Sequence, residues 1–308
     1  MAGTQRDVKN RIGSVKNIQK ITRAMEMMSA ARLRRAEQRI SHLRPYAKAI
    51  RRMTRQAAEA AGSGEMNKLP ILREHDSQDK VALLLITADR GLAGAFNAQI
   101  LRAATSAARE FERDGATPVY YATGRRGTSS LTFRGLDPKG SWVGFTERPA
   151  YANAREVAEA LMVAYVDGEI DRVEVFYNGY VSPLTQELRR ETLLPLQDAT
   201  ILEGGEHDVD RDEHDDDEDG KHALVEYEPG PDEILQRLVP DYVEISIYRA
   251  MLESAASELG ARMTAMESAT KNASEMIDSL TLQYNKARQA AITKELMEII
   301  GGSEAIKE

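Results

Sequence analysis

Residues 273–291, ASEMIDSLTLQYNKARQAA, decide the fold. Ala273, Ile277, Leu280, Tyr284, Ala287 and Ala291 recur there at steps of 4-3-4-3-4, the spacing of a left-handed coiled-coil seam. Many seam positions are Ala, so a partner helix can approach closely. Outward from this stretch, no proline occurs between Asp241 and Glu308. About sixty residues of helix span roughly 90 Å, some three times the width of a small domain. A helix that long must project or enter a partner over part of its length.

The opposite end of the chain carries a matching pattern. The first 44 residues lack proline, and Ile18, Ile21, Met25, Met28, Leu33, Ala36, Ile40, Leu43, Ala47, Ile50, Met53 and Ala57 form a second stripe. Its step of 5 after Met28 reads as an interrupted heptad that locally alters the supercoil. Pro45 removes one backbone donor and is expected to bend this helix, which should end near Gly62–Gly64. The two terminal helices can meet only by packing antiparallel. Charge supports that pairing: residues 1–56 carry fifteen Lys or Arg against three acids, and residues 241–308 carry eleven acids against seven bases. Opposite signs favour association of the two helices over self-association of either. The result is a rod rather than a pocket, which suits mechanical or scaffolding work.

The middle reads as an α/β sheet with largely parallel strands. Val81-Ala82-Leu83-Leu84-Leu85-Ile86-Thr87 is a strand covered on both faces. A helix over Asn97–Asp114, a strand over Pro118–Thr123 and a short helix over Arg125–Phe133 follow. Then come a helix over Asn153–Val166, a strand over Arg172–Asn178 and a strand over Thr185–Leu196. Pro229–Val239 reads as a short helix, with Pro240 in the first turn of the long one. The domains expected are 1–62, an N-terminal coiled-coil helix; 63–79, a linker; 80–202, a Rossmann-like α/β domain; 203–222, an acidic loop; and 223–308, a return segment with the C-terminal coiled-coil helix.

Composition narrows the function classes. With no cysteine, disulfides, thiolate zinc sites and thiol switches are excluded. No run reaches the ~18 apolar residues of a membrane span, and the N-terminus lacks the apolar core of a signal peptide. The net charge of −8 hides its distribution, because eleven acids and one base fall in residues 203–219. Asp208, Asp210 and Asp212 alternate there like the start of a calcium loop, and His207, His214 and His222 lie nearby. Glu213 stands where an EF-hand needs glycine, so a solvated loop is the plainer reading.

Two other motifs admit chemistry. Residues 88–97, ADRGLAGAFN, join a strand to a helix, and Gly91 and Gly94 could cradle a phosphate at that helix N-terminus. The full G-x-G-x-x-G fingerprint is absent, as is G-x-x-x-x-G-K-[ST], so a nucleotide-dependent α/β enzyme stands as one alternative to a tight structural turn. The basic N-terminal helix could grip nucleic acid. Against that, its charges surround an apolar seam and an acidic partner helix is available in the same chain. No Ser/His/Asp, Cys/His or H-E-x-x-H arrangement is found.

Three separated stretches in the right order resemble the gamma-subunit family of F-type ATP synthases. They are Ile18–Met28 with Ala31–Ala36, the turn ADRGLAGAFN, and Tyr284–Gly302. Ser141-Trp142, Tyr177-Asn178 and Leu194-Pro195 add weaker matches. Ala88 and Ala93 replace the family's usual Ser and Cys, and Ser303 its usual Ala. The acidic loop is the main departure, and the cysteine-bearing regulatory insert of plants is missing. The resemblance implies a central stalk without catalytic, cofactor or metal residues. Its coiled coil would sit inside a ring of three alpha and three beta subunits. Its α/β domain would sit against the epsilon subunit and the c-ring, at a bacterial inner membrane but not inserted in it. Carried over by motif, contacts to the beta subunits fall on Met25, Arg262, Gln289, Thr293 and Glu295, with the last four placed on outer faces of the long helix. Ile299, Ile300, Gly301 and Gly302 would form a bearing tip, and Tyr227 and Glu228 would face the c-ring and epsilon.

Overall fold

The computed structural model describes residues 5–66, 70–71, 73, 75, 78–195 and 230–305. The acidic loop, Tyr227 and Glu228 lie outside the described residues. The chain divides into two compact units, one made of its ends (up to Ala31 and from Arg262 onward) and one of Arg32–Ala261.

In the larger unit a five-stranded sheet has the order β3-β2-β1-β4-β5, with β1 Lys80–Ile86, β2 Thr117–Thr123, β3 Gly140–Trp142, β4 Arg172–Tyr180 and β5 Gln186–Leu194. β1, β2, β3 and β4 run parallel, and β5 is antiparallel to β4. Alternation along β1 sends side chains to two cores. Val81, Leu83 and Leu85 pack with Ile100, Leu101 and Ala104 of α2 (Phe96–Arg113) and Leu131 of α3 (Arg125–Phe133). Ala82, Leu84 and Ile86 pack with Val157, Leu161 and Tyr165 of α4 (Tyr151–Val166) and with Leu235, Val239, Val243 and Ile247 of α5 (Pro231–Ala305). A strand apolar at every position is what such two-sided cover requires. The expected strand over 185–196 is therefore β5 on the sheet edge, whereas β3 was not expected.

Pro240 differs from expectation. It lies inside α5, which begins at Pro231 and joins the expected short helix and the long one into a single element. An interior proline costs about 3 kcal/mol. Here Leu235, Val239, Val243 and Ile247, on either side of it, are all buried at 1% exposure or less. Burying such side chains is worth about 1.5–3 kcal/mol each, enough to carry the helix through. The first helix, α1 (Gln5–Met66), likewise runs through Pro45 and past Gly62–Gly64.

The smaller unit is an antiparallel helix pair. Val8, Ile12 and Val15 of α1 pack with Ala273, Ile277 and Leu280 of α5, and the α5 seam follows the spacing expected. Further along α1, Gln19 Nε2 donates to Ser274 Oγ at 3.0 Å, and Thr22 Oγ1 lies 2.7 Å from Thr270 Oγ1. Here the expected α1 stripe is corrected. Ile18, Ile21 and Met28 are 53–59% exposed; the shielded line runs through 8, 12, 15, 19, 22, 26 and 29, with Met25 and Ala30 half-shielded beside it. Those positions alternate by 4 and 3, so the step of 5 and its supercoil defect vanish. The same alternation continues in the larger unit through Leu33, Ala36, Ile40, Leu43, Ala47, Ile50, Thr54 and Ala57. Met53 is exposed and Thr54 buried. Small hydroxyls tolerate the seam because helix carbonyls accept their protons, as with Ser29 Oγ to Met25 O at 2.8 Å.

Candidate force-transmitting surfaces

The turn 88–97 is built around Asp89. Its carboxylate accepts hydrogen bonds from the amides of Arg125 (3.1 Å), Gly144 (2.9 Å) and Thr146 (3.1 Å), and from the Thr146 hydroxyl (2.9 Å). Partial burial opposes the charge, but these donors outweigh it and hold Asp89 below the usual carboxylate range. Asn97 Oδ1 accepts from Ala88 N at 2.9 Å, and Gly94 takes a left-handed φ of +55 that suits glycine. The first amides of α3 are thus taken within the chain, Arg125 N by Asp89, Arg126 N by Ala88 O and Gly127 N by Thr87 Oγ1, which leaves none of them for an anion. The void beside the turn, lined by Thr87, Phe96, Thr123, Thr146, Met251 and Glu258, measures about 10 Å³. That is room for one water, not for a nucleotide. The geometry favours the structural turn over the enzyme alternative. No cluster of metal-ligating side chains occurs among the described residues.

One feature of this turn escaped the sequence. Arg90 Nε lies 3.4 Å from Glu147 Oε1, and Glu147 Oε2 accepts from Arg32 Nη1 at 2.8 Å. Glu147 therefore bridges the turn to α1, joining two of the stretches that carry the family resemblance. The only sequence signal was two bases far apart, which have no reason to be paired until the fold brings them together.

The sites on the helices separate into two kinds. Met25 is half-buried beside the α1 seam. Arg262 is 5% exposed and engaged within the chain, so it does not lie on an outer face as expected. Gln289, Thr293 and Glu295 are exposed on α5, with Thr293 Oγ1 donating to Gln289 O at 3.0 Å. The pairing of Thr22 with Thr270 and Gln19 with Ser274 puts Gln5 opposite about residue 288. From there α5 continues to Ala305 with no described α1 residue beside it. Ile292, Leu296, Met297, Ile299 and Ile300 on that segment are all 49–68% exposed. Gly301 and Gly302 continue the same helix.

Known proteins agree with this architecture. The family model described as ATP synthase matches residues 4–306. An ATP synthase gamma chain of Desulforamulus reducens is 42% identical over 98% of this chain and 99% of its own length. The chain belongs to the ATP synthase gamma-chain family. A sodium-ion-specific ATP synthase gamma chain of Acetobacterium woodii, another member, is 38% identical over 99% of this chain and all of its own. Among solved structures, the rotor of the Euglena gracilis mitochondrial ATP synthase has the same fold, with a TM-score of 0.64 at 17% identity over 94% of this chain and 98% of that one. Among the described residues, no helix is long and apolar enough to cross a membrane.

Proposed function

We propose that this chain is the central-stalk rotor of an F-type ATP synthase, itself without an active site, turning inside a ring of three alpha and three beta subunits. The observation that carries the reading is the outward-facing apolar surface of the helix pair. Ile18, Ile21, Met27 and Met28 on α1 and Ile292 to Ile300 on α5 are exposed, on helices that already have a seam. Exposed apolar area of this extent marks an interaction surface. A rotor presenting unequal faces to three identical partners favours a different conformation in each, and this is how rotation would set their nucleotide affinity.

On this reading Met25, Gln289, Thr293 and Glu295 meet the beta subunits and the Ile299–Gly302 tip turns in an apolar bearing. Arg262, being buried, acts by setting the helix surface around it. Tyr227 and Glu228 meet the epsilon subunit and the c-ring, whose flow of protons or sodium ions drives the stalk. The acidic loop tunes regulation. The complex works on the cytoplasmic side of the bacterial inner membrane. The test is the purified complex: a probe on this chain should rotate during ATP hydrolysis, and the isolated chain should bind no nucleotide tightly. A stoichiometric, tight nucleotide site on the isolated chain would overturn the proposal.

A further inference from the structure

Within the larger unit, bonds to both long helices converge on the antiparallel ribbon β4–β5. Tyr177 of β4 lies opposite Arg189 of β5, and Glu191 follows on the same face. Arg189 Nη1 donates to Glu253 Oε2 of α5 at 2.9 Å. Arg249, one turn earlier on α5, donates to Glu191 Oε2 at 2.6 Å and lies 3.5 Å from Glu253 Oε1. Tyr177 O–H donates to Glu191 Oε1 at 2.6 Å. At the end of β4, the Tyr180 hydroxyl donates to Glu37 of α1. The Tyr180 ring packs in a cluster of Leu33, Ala36 and Ile40 from α1 with Leu252, Ala256 and Leu259 from α5.

The ribbon is shaped for this arrangement. A Cβ on Gly179 would come within 2.4 Å of Arg189 Nε, so the missing side chain is what lets the arginine lie across the strand toward α5. Arg189 and Glu253 are 9% and 8% exposed. Buried ion pairs add little net stability over apolar residues of the same volume, so stability does not account for the cluster. What a hydrogen-bonded charge pair supplies and an apolar contact does not is direction: it resists sliding of a helix along the sheet.

We propose that this ribbon is the junction through which torque passes between the sheet domain and both stalk helices, with Arg189, Glu191, Arg249, Glu253, Tyr180 and Glu37 as positioning residues. The proposal rests on the rotor reading. Three attachments of the ribbon, Arg189 to Glu253, Arg249 to Glu191, and Tyr180 to Glu37, act in parallel with the Arg32–Glu147 bridge and the packed core of α5 on β1.

The test uses the assembled complex carrying Arg189→Met with Glu253→Met, Tyr180→Phe, or Gly179→Ala. The thermal angular fluctuation of a probe on the sheet domain is recorded with the alpha–beta ring fixed, beside the ATP hydrolysis rate and the thermal midpoint. Loss of one ribbon attachment among these should raise the angular variance by up to about half, while the Met pair leaves the midpoint close to that of the unaltered complex. Tyr180→Phe keeps the ring in its cluster, so it carries the test if the Met pair fails to assemble. Normal rotation with unchanged variance in the variants that assemble overturns the junction alone. No rotation in the unaltered complex overturns the rotor reading, and the junction with it.

Discussion

Replacing Asp89 with alanine tests whether the signature turn is an internally satisfied anion site. Three amides and one hydroxyl donate to its carboxylate, and the substitution leaves all four without that acceptor. Hydrogen bonds to a charged group are worth about 1.5–3 kcal/mol each. Water reaches part of this site and restores some of them, so a loss of about 3 kcal/mol is expected for the set. For a unit of this size that lowers the thermal midpoint by about 6–12 °C. The pH dependence follows from the depressed pKa of Asp89 in the folded chain. A carboxylate with a folded pKa below its unfolded value of about 3.9 stabilises fully above that value and loses its contribution as pH falls through the folded pKa. The gap between the original chain and Asp89→Ala should therefore be constant from about pH 8 to pH 5 and narrow below about pH 4. Melting both chains by circular dichroism across that range is sufficient. An equal gap at both ends of the range, or no gap at all, would refute the reasoning.

The other expectations concern the long helices. Thr22→Val removes the hydroxyl pair across the seam but leaves Thr270 Oγ1 donating to Met266 O, so it should cost no more than about 1 kcal/mol, and Thr22→Val with Thr270→Val should cost less than the sum of the single losses; additive losses in a double-mutant cycle would argue against a paired hydroxyl layer. Pro240→Ala restores a backbone donor inside α5 and should raise stability by about 1–3 kcal/mol, read as a higher denaturant midpoint; a lower midpoint would mean that the core depends on the proline's geometry. Leu296→Ser with Ile300→Ser should leave the stability of the isolated chain within about 0.5 kcal/mol, since both residues are exposed, yet weaken its retention in the purified complex; undiminished retention would remove the bearing role.

Where a segment's own pattern decides its structure, the sequence was sufficient. The run Val81–Ile86 could only be a doubly covered strand, and Arg125–Phe133 is a helix to the residue. β3 was missed because three residues on a sheet edge have no measurable alternation. Its signals are tertiary: Trp142 stacks on Tyr121 with centroids 6.4 Å apart, and a Cβ on Gly140 would meet both rings. The ribbon charges were missed for a related reason. QELRRETLL reads as a strand and no more, and nothing local says that Arg189 is matched by Glu253, or that Glu174 is buried between Arg172 and Arg190. Burial of Glu253 works against its charge and outweighs the arginines beside it, so its pKa lies above the usual range. No run of sequence displays that balance.

The misread face of α1 carries the most physical content. Between residues 18 and 29 hydrophobicity selected Ile18, Ile21, Met25 and Met28, while the shielded seam runs through Gln19, Thr22, Glu26 and Ser29. A coiled coil meant for water has the reverse polarity. Leaving Ile18, Ile21, Met27 and Met28 at 53–60% exposure forgoes roughly 1 kcal/mol of burial or more at each, and the polar seam beneath them does little to offset it. Such an inversion is tolerable if the outer face is dehydrated by something else in the working state. Around Ile18, Ile21 and Met28 the stripe thus marks outer positions rather than those that face the other helix, whereas from Leu33 onward it marks the shielded line itself. It follows that the isolated chain should self-associate through this face, and that Ile18→Gln with Ile21→Gln should suppress that association in sedimentation without lowering the helix melting point. If the substitutions melted the helix pair instead, those residues would belong to the seam and the inversion would be wrong.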